Sequence, residues 1–134
     1  MDDARLHTLA ELARYSILAA LDLARQPPPD SSPFAARGAA FVTLTQATRL
    51  RGCIGTLEAW RTLAEDVAAN ARAAAMHDPR FPALTVAELP HTLVEVSVLE
   101  PATPLTFTAL AKIGFTYFKS FSVVSVLICI SFAI

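Results

Sequence analysis

Apolar residues recur at helical spacing through Leu6, Leu9, Ala13, Ile17, Ala20 and Ala24, while Arg5, Glu11, Arg14 and Asp22 fall largely off that stripe. This pattern predicts a first helix with one core-facing side, capped by Asp2 or Asp3. Pro27-Pro28-Pro29 and the stretch from Asp30 to Pro33 cannot continue a helix and read as a surface loop, anchored by Phe34. Gly38 to Gln46 and Thr48 to Leu57 then read as two strands joined by a short hairpin connection at Gln46-Ala47-Thr48. Thr62 followed by Glu65 fits a capping box and opens a second helix to about Met76, with Leu63, Val67, Ala71 and Ala74 as its apolar face. Asp78 to Pro82 is a loop stiffened by two prolines. Thr85 and Glu88 repeat the capping pattern for a short helical turn ended by Pro90. From Thr92 to Leu99 the chain alternates, with Val94, Val96 and Val98 on one side and Glu95 and Ser97 on the other. The order helix, hairpin, helix, strand predicts an α+β fold: an antiparallel sheet flanked by helices.

Composition divides the chain. All nine arginines, all nine prolines and all twelve acidic residues precede Lys112, whereas both lysines, Lys112 and Lys119, follow Ala111. The last 23 residues hold four of the eight phenylalanines and four of the six isoleucines. The switch from Ala-, Arg- and Pro-rich to Phe-, Ile- and Lys-rich sequence is what a frameshift, a chimeric join or an exon boundary leaves. Residues 1–108 are read as the authentic N-terminal part of a domain and 109–134 as an atypical apolar tail. The tail reads first as such an artefact, then as a buried or edge strand, and last as a membrane anchor. Its uncharged run, Ser120 to Ile134, is 15 residues, short of the roughly 20 a single span needs.

Through Ala111 nine arginines against twelve carboxylates leave −3, which argues against a nucleic-acid surface. Asp2, Asp3, Glu11 and Asp22 interrupt the first 25 residues, so no secretory leader is expected there. Two distant cysteines, Cys53 and Cys129, form no disulfide framework, and a reducing cytoplasm is the simplest compartment.

Candidate chemistry gathers at Leu50-Arg51-Gly52-Cys53-Ile54-Gly55-Thr56. The glycines leave room for a close approach, and neighbouring guanidinium groups favour the reactive thiolate. Strict alternation would put Arg49, Arg51 and Cys53 on one face and Leu50, Gly52 and Ile54 on the other. Cys53 reads either as a small apolar residue in a tight strand, with Gly52 and Gly55 marking a bulge or close helix packing, or as a candidate catalytic thiol. Asp78 and Arg80 read as a turn with a local ion pair or, with Glu95, as ligand-binding residues of the same cleft. His77 and His91 stand in no recognisable pattern with Cys53, and His77 reads as a helix C-terminal cap. No zinc-ligand spacing and no phosphate-cradling glycine loop occurs, so no metal is expected and no cofactor is named.

The Leu50–Thr56 run resembles the signature of the AMMECR domain family, called AmmeMemoRadiSam system protein A in prokaryotes. The resemblance continues in order through Phe41-Val42-Thr43-Leu44, Leu63-Ala64-Glu65-Asp66-Val67, Asp78-Pro79-Arg80-Phe81-Pro82, Leu89-Pro90 and Glu95-Val96-Ser97-Val98-Leu99, covering roughly residues 4 to 107. It implies an AMMECR-type domain incomplete at its C-terminus, because family members are longer past the position of Leu105. It also implies a cytoplasmic component of a system with a Memo-like protein and a radical-SAM protein as partners, with Arg51-Gly52-Cys53-Ile54-Gly55 as its site. Arg49, Arg51, Gly52, Gly55, Asp78, Arg80 and Glu95 would then bind ligand around Cys53. A non-catalytic module docking on those partners is the alternative, and a membrane-attached variant follows only from the tail.

Overall fold

A computed structural model of the chain describes residues 1–100 and, as backbone, 126–133. The elements run α1 (Asp3–Ala20), β1 (Ala39–Gln46), β2 (Arg49–Gly55), α2 (Leu63–Met76), β3 (Leu93–Leu99) and β4 (Val126–Ala133), with 3-10 turns at Ser32–Phe34 and Val86–His91. The sheet order is β2-β1-β3-β4, and each described pairing is antiparallel. With two helices packed on it, this is an α+β fold with an antiparallel sheet.

The helices form where the periodicity places them. Asp2 caps α1 by accepting the Arg5 N–H at 2.9 Å. The apolar stripe holds through Ile17, but Ala20 and Ala24 leave it. After Ala20 the chain turns at Asp22, whose φ is +58°, so Ala20 is exposed and Ala24 lies beyond the helix. Thr62 and Glu65 form a reciprocal capping box at the start of α2. Leu9, Ala13 and Ile17 of α1 and Val67, Ala71 and Ala74 of α2 pack on Val42, Leu44, Val94 and Val96 of the sheet. Phe34 anchors the proline-rich loop in that core, with the Arg5 guanidinium over its ring.

The β1–β2 hairpin turns through Ala47 and Thr48, at φ +47° and +66°. Positive φ at both central residues gives the turn the hand that suits a twisted antiparallel pair. The pairing then slips. Thr45 faces Leu50 but Leu44 faces Gly52, which leaves Arg51 as an extra residue in a bulge.

The tail falls partly outside this description. Val126–Ala133 pairs with β3, whereas Lys112, Lys119, the boundary near residue 108 and, of Ser120 to Ile134, residues 120–125 and 134 lie outside the described residues. Among the described residues no helix is long and apolar enough to cross a membrane.

Candidate functional site

The bulge breaks the alternation expected for β2. Past it, Gly52 and Ile54 pair with the core residues Leu44 and Val42, and Cys53 pairs with Thr43 on the opposite face. Leu50 joins that face, opposite Thr45, and is 43 % exposed rather than core-directed. Arg49 pairs with Gln46, and Arg51, bulged out of register, turns to Glu88. The two arginines therefore do not share a face with the thiol. A one-residue bulge leaves no mark on the hydrophobic pattern that would reveal it.

Arg51 is buried and forked onto Glu88. Its Nε donates to Oε1 at 2.9 Å and one terminal nitrogen to Oε2 at 3.2 Å, and the same nitrogen donates to the Pro82 carbonyl at 2.9 Å. The Phe81 ring lies 5.7 Å from this guanidinium. Gln46 donates to Glu88 and to Thr92, so the carboxylate ties the hairpin to the 3-10 turn. Arg51 acts here as a structural clamp. One of its terminal nitrogens, Nη1, has no hydrogen-bond partner among the described residues.

The two glycines are close-packed. A Cβ on Gly52 would lie against the Ala74 carbonyl oxygen of α2, and one on Gly55 would lie against the Phe41 ring across the strand pair. The space they leave is filled by helix backbone and an aromatic ring. Neither offers that space to a ligand.

Three of the expected residues do come together. The Cys53 N–H donates to Asp78 Oδ2 at 2.9 Å, and Arg80 donates to the Cys53 carbonyl at 3.4 Å. β2 is the edge strand of the sheet, so these two side chains occupy the place of a neighbouring strand. Asp78 is itself held by the Arg80 backbone N–H, Nε and a terminal nitrogen at 2.8–3.0 Å. The half-buried thiol of Cys53 sits 3.3 Å from the Thr43 hydroxyl, and Glu95 occupies the next place in the same row, paired with Thr43 from β3. Among the described residues neither His77 nor His91 hydrogen-bonds the thiol. His77 stands at the C-terminal cap of α2.

A second polar group, which the sequence reading did not single out, lies under the start of α2. Asp66 is fully buried and accepts from the Ala40 N–H, the Thr56 hydroxyl, Arg61 Nε and the Asn70 amide at 2.7–3.1 Å. Asn70 also donates to the Ala40 carbonyl. The available signal was spacing, since Asp66 and Asn70 fall beside Leu63, Val67, Ala71 and Ala74 on the buried face.

The carboxylates respond to their partners. Arg51 pulls Glu88 from its ordinary 4.5 down to about 2. The Arg80 side chain, and then the Cys53 N–H, hold Asp78 well below the usual carboxylate range. Both bind a proton less readily folded than unfolded, so their stabilisation is complete above the unfolded values and is lost as pH falls toward the folded ones. The urea midpoint is expected to be flat above about pH 5 and to fall between about pH 4.5 and about pH 2. Arg51→Gln should remove the Glu88 share of that slope. A midpoint as high at about pH 3 as at about pH 6 would refute this account.

Fold and site together define a small α+β domain with a thiol on a side-chain-capped edge strand. The chain belongs to the AMMECR1 family, whose sequence profile matches residues 10–118. It is 51 % identical over 67 residues to a protein of Sulfolobus acidocaldarius, covering 47 % of this chain and 30 % of that one. It is 40 % identical over 95 residues to a Methanosarcina mazei protein, covering 66 % and 48 %. The crystal structure of the uncharacterized protein PH0010 from Pyrococcus horikoshii is similar at TM-score 0.69 and 34 % identity, over 76 % of this chain and 54 % of that one. The chain thus spans about half, or less, of the length of the curated relatives it matches.

Proposed function

We propose that the chain is the AMMECR-type component of a cytoplasmic system with a Memo-like protein and a radical-SAM protein, and that it offers Cys53 to them. The supporting observation is the contrast at Cys53 between a clamped backbone and a half-buried side chain. Asp78 and Arg80 hold both of its peptide groups, while its thiol stays half-buried beside Thr43. A fixed backbone beneath a sulfur that is not fully buried is what a nucleophile or an attachment point requires. Arg80, over the Phe81 ring at 5.5 Å, brings a cation to that side. The second reading, a non-catalytic module docking through the same face, is favoured by the thiol's partner being a hydroxyl rather than an imidazole.

Two measurements test this. In a Cys129→Ser background, Cys53 should react with iodoacetamide at pH 7 faster than a free model thiol. Capture of the Memo-like partner should survive Cys53→Ser while turnover by the assembled system is lost. A rate no faster than the model thiol's would refute an activated nucleophile, and failure to capture either partner would refute the system assignment. Capture retained together with unchanged turnover would select the docking module.

A further inference from the structure

A concavity of about 750 Å3 opens beside the start of α2, and Cys53 does not line it. Its walls carry Arg37 from the approach to β1, Trp60 and Arg61 from the loop before α2, and Arg72 from the helix itself. Ala68 and Ala69 give it a floor of methyl groups. The volume is within the range of small-molecule sites, roughly 300–1,000 Å3.

Three observations bear on what fits. First, Trp60 is 63 % exposed although the Arg61 guanidinium covers one of its faces at 4.6 Å. An indole costs free energy in water, and its other face is available to a flat ring. Second, Arg61 is held from behind by Asp66 and Asn70, so the indole and its cation are already oriented. Third, the exposed guanidiniums of Arg37 and Arg72 make no ion pair among the described residues. The rim carboxylate, Glu65, spends Oε2 on the Thr62 N–H and hydroxyl. Three guanidiniums against Glu65 and Asp66 leave the wall positive.

Guanidinium forks match phosphate oxygens, and an indole stacks on an aromatic base. A simple carboxylate would satisfy the arginines but leave the indole wet. A purely aromatic ligand would leave two cations unpaired. We propose that this concavity binds a nucleoside phosphate, with the base on Trp60 and the phosphates on Arg37 and Arg72. The proposal uses no residue of the Cys53 row and stands or falls independently of the function assigned there.

Trp60 is the chain's single tryptophan, so its emission reports on this wall alone. The full chain would be titrated with ADP, inorganic phosphate and adenosine, following Trp60 emission and binding heat. ADP is expected to quench Trp60 and to bind at least about tenfold more tightly than either fragment. Arg37→Gln and Arg72→Gln should each weaken ADP about tenfold and leave the thermal midpoint unchanged. Arg72 lies on the exposed side of α2, so its variant keeps the test valid if the Arg37 variant folds poorly. No ADP binding at millimolar concentration, equal binding by phosphate or adenosine alone, or ADP affinity unaltered by Arg72→Gln would each overturn the proposal.

Discussion

Gly52→Ala is expected to cost on the order of 3 kcal/mol or more, a large part of the roughly 5–15 kcal/mol that holds a domain of this kind together. The added methyl would collide with the Ala74 carbonyl oxygen and lie 3.1 Å from its carbon. Those atoms are helix backbone, which cannot rotate aside as a flexible side chain could. Either α2 lifts from β2 and the core contacts of Val67, Ala71 and Ala74 loosen, or the bulge rebuilds and breaks the fork between Arg51 and Glu88. Cys53→Ala, one residue along on the other face, should cost clearly less. Urea unfolding of the two variants side by side checks the order, and a Gly52→Ala domain as stable as wild type would refute the close packing.

Asp66→Ala should be comparably severe, with a loss of about 3–5 kcal/mol, because it strands a partly buried cation. Arg61 would lose its carboxylate, and the Ala40 N–H, the Thr56 hydroxyl and one donor of Asn70 would lose their acceptor. Asp66→Asn separates charge from shape. One orientation of the amide aims its NH2 at the Ala40 and Asn70 donors, and the other aims it at Arg61, so neither restores the network. Asparagine is expected to recover only part of the loss. A loss below about 1 kcal/mol for alanine would mean that the network contributes little to stability.

The parts of this molecule legible in its sequence are those governed by local rules. The capping box at Thr62 and Glu65, the alternation of Val94 and Val96 and the stripe from Leu6 to Ile17 each rest on spacing within a few residues. All three reappear as helix start, strand face and core. What stayed hidden depends on partners distant in the chain. Asp66 reads as an ordinary polar helix residue until Ala40 and Thr56 close over it. Gly52 reads as room for a ligand until α2 fills it. Of the candidate site, Asp78 and Arg80 do meet Cys53, because their loop follows α2 back to the edge of β2. Arg49 and Arg51 do not, because a single extra residue redirects them.

That extra residue makes the address of the thiol a matter of parity. Counted from the hairpin, the odd and even positions of β2 exchange faces once, at Arg51. Keep every residue but pair the strands without the bulge, and Cys53 would stand opposite Val42, turned inward to α2, with Gly52 turned outward. The bulge acts as a phase shift: it lets neighbouring positions serve opposite surroundings, a buried ion pair for the arginine and the half-buried opposite face for the sulfur. The register of this short run is therefore as much a part of its information as the identity of its residues.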